Sequence, residues 1–305
     1  MIEGPRAETV PTRPVVRAVD LLGDRLTVSI LRDAFVERAR RFGDWARSTG
    51  ASPAVLSSRL RDLVEHGLLE RRSQQGHPHR SSYLLTPLGL ATWSFLVSIW
   101  TWEREWSAAG ALQPELIHRP CGRRGTPDLV CASCSRTVRA QDVSLVMDPA
   151  QPRLSARVGR RRSRRAAGAT AGSDLQFTAV MEAIGDPWSI QVTGLALSGV
   201  CRFADFQGIL GASPSTLSER LARLCDEGIL RRAQGERDYR LTPRGRALFP
   251  IFAFLMDWTR TAHPELAIDQ LGPQLWHPAC GSWLVAALQC RGCGELLQRA
   301  DVLFD

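Results

Sequence analysis

Lysine and asparagine are both missing from this 305-residue chain, so all 39 basic residues are arginine. Both missing amino acids need A-rich codons. A GC-rich genome therefore accounts for the bias, and arginine content alone carries no message about nucleic acid. Position says more. Residues 149–173 hold seven arginines and no acid, which is nearly all of the formal net charge of +8. Long apolar runs are also missing. Phe95–Trp102 is among the longest and falls well short of the roughly 20 residues a membrane span requires. Met1–Pro14 has no apolar signal core. The expectation is a cytoplasmic protein with no membrane partner. No Gly-rich phosphate loop and no G-x-S-x-G elbow occur, so an enzyme is not expected.

What is present is a repeated cysteine pattern. His118-Arg-Pro-Cys121 is followed by Cys131-Ala-Ser-Cys134, and His277-Pro-Ala-Cys280 by Cys290-Arg-Gly-Cys293, both as H-x2-C-x9-C-x2-C. In a reducing compartment such arrays favour metal over disulfide. Soft thiolates with one imidazole suit tetrahedral zinc, and four protein ligands close the site. The expectation is two Zn2+ per chain: one on His118, Cys121, Cys131 and Cys134, the other on His277, Cys280, Cys290 and Cys293. A Cys/His iron–sulfur centre is the less favoured alternative. Gly122, Gly281 and Gly294 follow cysteines where the backbone must bend around sulfur. Cys201 and Cys225 lie outside the arrays and read as small core residues.

The duplication extends beyond the cysteines. Gly50-Ala-Ser-Pro-Ala-Val-Leu-Ser-Ser-Arg-Leu60 recurs as Gly211-Ala-Ser-Pro-Ser-Thr-Leu-Ser-Glu-Arg-Leu221, and Tyr83-Leu-Leu-Thr-Pro-Leu-Gly89 as Tyr239-Arg-Leu-Thr-Pro-Arg-Gly245. Gly23-Asp24 matches Gly185-Asp186. Within the first copy the pattern predicts helices over Leu26–Val36 and Arg41–Ser48, and a third opened by Ser52-Pro53 with Leu56, Leu60 and Leu63 inward. Strands Leu68–Ser73 and Ser81–Thr86 follow, joined by a turn at Gln74–His79. A long helix then runs from Pro87 to Trp106. The second copy predicts helices over Trp188–Leu197, Phe203–Ile209 and Pro214–Glu227. A hairpin turning through Gln234–Glu236 and a helix over Pro243–Thr261 complete it. Trp93, Trp100, Trp102 and Trp106 read as packing, at the core or between modules, ahead of a ligand pocket.

Three helices and a two-stranded hairpin form the order of a winged helix-turn-helix. Asp24-Arg-Leu-Thr-Val-Ser-Ile-Leu-Arg-Asp33, Arg41-Phe-Gly-Asp-Trp45, the Ser-Pro-x-x-Leu-Ser-x-Arg-Leu helix and the Tyr-x-Leu-Thr-Pro-x-Gly segment together resemble the HxlR-type transcriptional regulators. The likeness covers about Val15–Trp106 and Leu175–Thr261. The fold expected is α+β, mainly α, with two tandem winged helix-turn-helix modules, each followed by a small Cys3His zinc-ribbon-like element. The boundaries expected are a flexible arm at 1–14, module one at 15–110 and its ribbon at 111–147, a basic flexible linker at 148–173, module two at 174–262 and its ribbon at 263–305.

Recognition helices read bases with outward residues near their N-termini. Those residues are Ser52, Ala54, Val55, Ser58 and Arg61 in the first copy, with Arg59 on the flank. In the second they are Ser213, Ser215, Thr216, Glu219 and Arg223, with Arg220 on the flank. Arg59 and Arg220 are read either as DNA contacts or as solvated surface charges or internal ion pairs. Arg41, Arg80 and Arg237 are further candidates near the wings, and Arg160, Arg161, Arg162, Arg164 and Arg165 could meet phosphates. His77 and His79 read as ordinary loop residues. The resemblance implies a bacterial regulator on the nucleoid that binds double-stranded DNA. Two modules in one chain would act as a pseudo-dimer with structural zinc, a second copy and a small-molecule effector being further candidate partners. Two alternatives stand beside it: a redox- or metal-responsive sensor built on the Cys3His clusters, and a chain whose first repeat binds DNA while its second binds protein.

Overall fold

The computed structural model describes residues 14–74, 77–146, 177–232 and 237–305. The linker arginines and the Gln234–Glu236 turn lie outside the described residues, as does the N-terminal arm up to residue 13. The first repeat contains α1 (Pro14–Leu22), α2 (Arg25–Phe35), α3 (Phe42–Thr49), α4 (Pro53–Glu65), β1 (Leu69–Gln74), β2 (His77–Leu85), α5 (Pro87–Leu90), α6 (Trp93–Trp106), β3 (Leu116–His118), β4 (Arg123–Arg124), β5 (Asp128–Cys131) and β6 (Ser144–Val146). The second repeats the order with α7 (Thr178–Ile184), α8 (Pro187–Leu197), α9 (Phe203–Leu210), α10 (Pro214–Asp226), β7 (Leu230–Arg231), β8 (Arg240–Leu241), α11 (Pro243–Arg246), α12 (Phe249–Ala262), β9 (Gln274–His277), β10 (Ser282–Trp283), β11 (Ala286–Gln289) and β12 (Val302–Phe304).

Local chemistry explains the helix starts. Asp24 caps α2 by accepting from Thr27 N at 2.9 Å, and Asp186 caps α8 through Trp188 N and Ser189 N. Ser213 caps α10 through Thr216 N, whereas Ser52 at the start of α4 makes no side-chain cap bond. Leu56, Leu60 and Leu63 are fully buried, and Leu217, Leu221 and Leu224 repeat the stripe. The Trp45 indole of α3 donates to Ile30 O of α2 at 3.1 Å, fixing the two helices that carry α4.

Three expectations are corrected. The helix predicted from Pro87 to Trp106 is two helices. The Thr92 hydroxyl donates to Gly89 O at 2.7 Å and the chain restarts at Trp93. In the second copy Pro250 lacks the amide N–H that a continuous helix would need, and α12 begins beside it. Of the turn predicted over Gln74–His79, Gln74 belongs to β1 and His77–His79 to β2. Helices α1 and α7 lie outside the elements that the sequence predicts.

The C-terminal elements are also not separate ribbons. Strand β12 of the second repeat pairs with β3 of the first, and β6 of the first pairs with β9 of the second. Strands β5 and β11 pair with each other, Cys131 opposite Ala286. Ribbon strands this short bury little on their own, and exchange lets each complete its neighbour's sheet. Helices α6 and α12 pack along the same seam, and α1 of the first repeat lies on α12. The seam is reciprocal. Trp102 donates through Nε1 to Arg244 O at 3.0 Å, and its counterpart Trp258 to Leu88 O at 3.1 Å. The tryptophans of α6 are therefore packing residues: Trp100 and Trp102 are buried, and Arg244 lies over the Trp102 ring.

Candidate metal centres and nucleic-acid interface

Strand exchange decides how the eight predicted ligands meet. One group contains His118, Cys121, Cys290 and Cys293, the other Cys131, Cys134, His277 and Cys280, with the ligand atoms of each within 4.8 Å of one another. Each group thus takes its His-x2-Cys pair from one repeat and its Cys-x2-Cys pair from the other. The within-repeat sets expected from the sequence are corrected. The reason is the β5–β11 pairing, which carries Cys131 away from His118 and brings Cys290 to it.

The geometry is equivalent at both centres. His118 Nδ1 lies 3.2 Å from Cys121 Sγ and 3.4 Å from Cys293 Sγ, and the Cys121 and Cys290 sulfurs are 3.7 Å apart. His277 Nδ1 lies 3.2 Å from Cys280 Sγ and 3.8 Å from Cys134 Sγ, with Cys131 and Cys280 at 3.9 Å. Tetrahedral corners about 2.3 Å from a central ion are about 3.7 Å apart, so the donor set and its spacing fit zinc. Both imidazoles are buried, and Cys121 and Cys293 face solvent. The turns are tight. Gly122, Gly281 and Gly294 take φ of 66°, 63° and 76°, and Ser135, in the place of Gly294, is held at 57°.

The thiols are not equivalent. Burial opposes ionisation of Cys131, but hydrogen bonds from the Ser133 backbone, the His277 ring and the Val285 and Cys134 backbones outweigh it and bring the thiol down to about 6. Burial likewise opposes ionisation of Cys290. Hydrogen bonds from the Cys293 and Gly292 backbones and the sulfurs of Cys121 and Cys293 bring it down to about 7. Cys134 goes up in spite of a backbone hydrogen bond at Arg136, pushed by desolvation and by the sulfurs of Cys280 and Cys131. Cys293 goes up in the same way against a backbone bond at Glu295. Thiolates this close repel, and a cation among them relieves the repulsion. Cys201 and Cys225 stand apart, both half-buried, and burial pushes the Cys225 thiol up.

Helices α4 and α10 present the residues predicted to face outward. Ser52, Ala54, Val55 and Arg61 are exposed and Ser58 is half-buried; Ser213, Ser215 and Glu219 are exposed, with Thr216 and Arg223 half-buried. Arg59 is turned inward. Its guanidinium lies 2.8 Å from Asp24, and the side chain is 14% exposed. Arg220 repeats this with Asp186 at 3.7 Å. The internal ion pair is thus the arrangement adopted at both flank positions, and the acids that cap α2 and α8 also anchor α4 and α10. Arg223 donates to Glu182 O. Arg41 is exposed at the start of α3, where the Asp44 carboxylate accepts its amide. Arg80 lies in β2, and Arg237 is exposed beside β8. The wings differ: β1 and β2 have six and nine residues, β7 and β8 two each. No helix among the described residues is long and apolar enough to cross a membrane.

An HTH-type transcriptional regulator of Mycobacterium bovis is 39% identical over 131 residues, which span 43% of this chain and 82% of that protein. One of Synechocystis is 31% identical over 103 residues, 33% of this chain and 76% of its own. A solved Pseudomonas aeruginosa protein, described as a candidate transcription factor, shares 31% identity over 41% of this chain and 85% of its own, with a TM-score of 0.32. The sequence profile of the HxlR-like helix-turn-helix family matches residues 21–110 and again 183–266, together more than half of the chain. Two matches of one kind that together span more than half of the chain make it a member of the HxlR-like helix-turn-helix family, whose members are transcriptional regulators and not enzymes.

Proposed function

We propose that a single chain acts as its own dimer on double-stranded DNA, with α4 and α10 as its two reading heads and a zinc ion in each crossed Cys3His group. One observation carries this reading: the contacts between repeats are reciprocal, as in a two-fold interface where residue i meets j and j meets i. Trp102 and Trp258 exchange the same hydrogen bond, β6 and β12 exchange places, and the two ligand groups exchange Cys-x2-Cys pairs. His118, Cys121, Cys290 and Cys293 would hold one ion, and Cys131, Cys134, His277 and Cys280 the other. With four protein donors each, the sites are closed and structural. Zinc there contributes on the order of 10 kcal/mol to ordering small elements, and it ties one repeat to the other.

Native mass spectrometry of protein purified in reducing buffer is expected to give a monomer with two zinc ions, and one such monomer per operator duplex. A homodimer as the only DNA-binding species, or less than one metal per chain, overturns the reading. The short second wing and the outward Glu219 favour a second reading, in which repeat two docks a protein and a single chain protects one half-site only.

A further inference from the structure

A cleft of about 410 Å³ opens at the seam between the repeats, within the range of about 300–1,000 Å³ that holds small ligands. Its walls come from α8, α12 and β9 of the second repeat and β6 of the first. Leu145, Leu197, Phe249, Phe252, Met256 and Leu275 form an apolar lining, and Gln141, Ser144 and Ser198 give exposed polar groups at the rim. None of the described residues lining it is charged.

The duplication identifies what fits there. Leu145 lies opposite Leu275 in the β6–β9 pair, as Phe304 lies opposite Leu116 in the β12–β3 pair. Met256 occupies in α12 the position of Trp100 in α6, and Gly194 in α8 that of Arg32 in α2. In the first repeat the Trp100 and Phe304 rings meet edge to face, centroids 5.2 Å apart at 80°. The second repeat replaces this aromatic pair by leucine and methionine, two smaller or more pliant side chains, and leaves the cleft. Methionine also accommodates aromatic partners of varied shape.

We propose that this cleft binds a small neutral aromatic effector of one or two rings, in the place that the Trp100 and Phe304 rings fill in the first repeat. The apolar lining takes the ring faces, and the rim amide and hydroxyls accept or donate to a single polar substituent. The absence of charge on the lining disfavours phosphorylated or carboxylated molecules. Because β6 comes from repeat one and α8 supports the α10 reading helix, an occupant touches both halves. Ring binding stands independently of the proposed function; its effect on DNA rests on that function.

Indole is the probe, followed through the Met256 methyl resonance and by calorimetry on the full chain without DNA. Saturable binding of one indole per chain with a shift at Met256 is expected. The variant Leu145→Phe/Met256→Trp, which restores the aromatic pair, should weaken it at least tenfold while leaving the unfolding temperature equal or higher. Gly194→Ala is the milder check: the added methyl would sit 3.2 Å from the Phe252 ring and press it toward the cleft, weakening indole several-fold. No saturable shift at Met256, or both variants binding indole as wild type does, overturns the site. With the site saturated, operator affinity should change; an unchanged affinity overturns the effector role while leaving zinc content and one-chain operator binding to stand or fall by their own tests.

Discussion

At the scale of single residues, the recognition helices separate two kinds of arginine that helical periodicity alone treats as neighbours. Arg59 is drawn in to Asp24, and Asp24 also caps α2. Arg61 is exposed. Asp24→Ala is therefore expected to cost about 1 kcal/mol in urea unfolding, chiefly from the lost cap, with little added by a partly exposed ion pair. Arg61→Ala should change stability by less than about 0.5 kcal/mol but reduce operator affinity. Equal stability losses in both variants would refute the distinction. The sequence left Arg59 open between DNA contact, solvated surface charge and ion pair for a physical reason. Spacing along a helix gives its faces, but the partner that claims a flank residue comes from a different helix, and Asp24 was legible only as a cap. The inward leucines of α4 and α10 were legible, because burial of a stripe is a local pattern.

Between elements, what the sequence could not supply was the identity of the strand each ribbon pairs with. Matching H-x2-C-x9-C-x2-C arrays specified ligand types and number, and both within-repeat and crossed groupings satisfy that pattern. The β5–β11, β12–β3 and β6–β9 pairings select the crossed one. Double variants discriminate through metal content. Cys121→Ser/Cys290→Ser strikes one crossed site, so about one zinc per chain should remain by elemental analysis, whereas Cys121→Ser/Cys131→Ser should lose both. Within-repeat ligation would give the opposite result. Helix α7 offers a second test between elements. Ala179 N and Val180 N donate to the two carboxylate oxygens of Glu103 on α6, at 3.0 and 2.9 Å. Glu103→Ala leaves both donors without that acceptor and should cost about 1–3 kcal/mol. Burial pushes the Glu103 carboxyl above its ordinary value of 4.5, outweighing the two backbone bonds. A raised folded value means that its stabilisation is complete below the unfolded pKa and is lost as pH rises through the folded one. The difference in urea midpoint between wild type and Glu103→Ala should therefore shrink as pH increases from about 4.5; a difference that grows would contradict the burial argument.

For the whole molecule, fusing two modules in one chain frees each reading helix to diverge, which a homodimer cannot do. Ser58 and Arg61 in α4 stand where α10 has Glu219 and Ala222. Glutamate repels phosphate but can accept from cytosine, while arginine favours guanine. On the proposed function, two reading heads joined by a reciprocal seam would place their helices in successive major grooves, about one helical turn apart. The expected operator is therefore an imperfect palindrome with unlike half-sites, both protected by a single chain. In a selection from randomised duplexes, Arg61→Ala should relax preference in one half-site and leave the other as in wild type, and Glu219→Ala should do so in the opposite half. A symmetric optimal site in which both halves respond equally to Arg61→Ala would instead require two copies of α4 from two chains, and the reciprocal seam between the repeats would then serve stability alone.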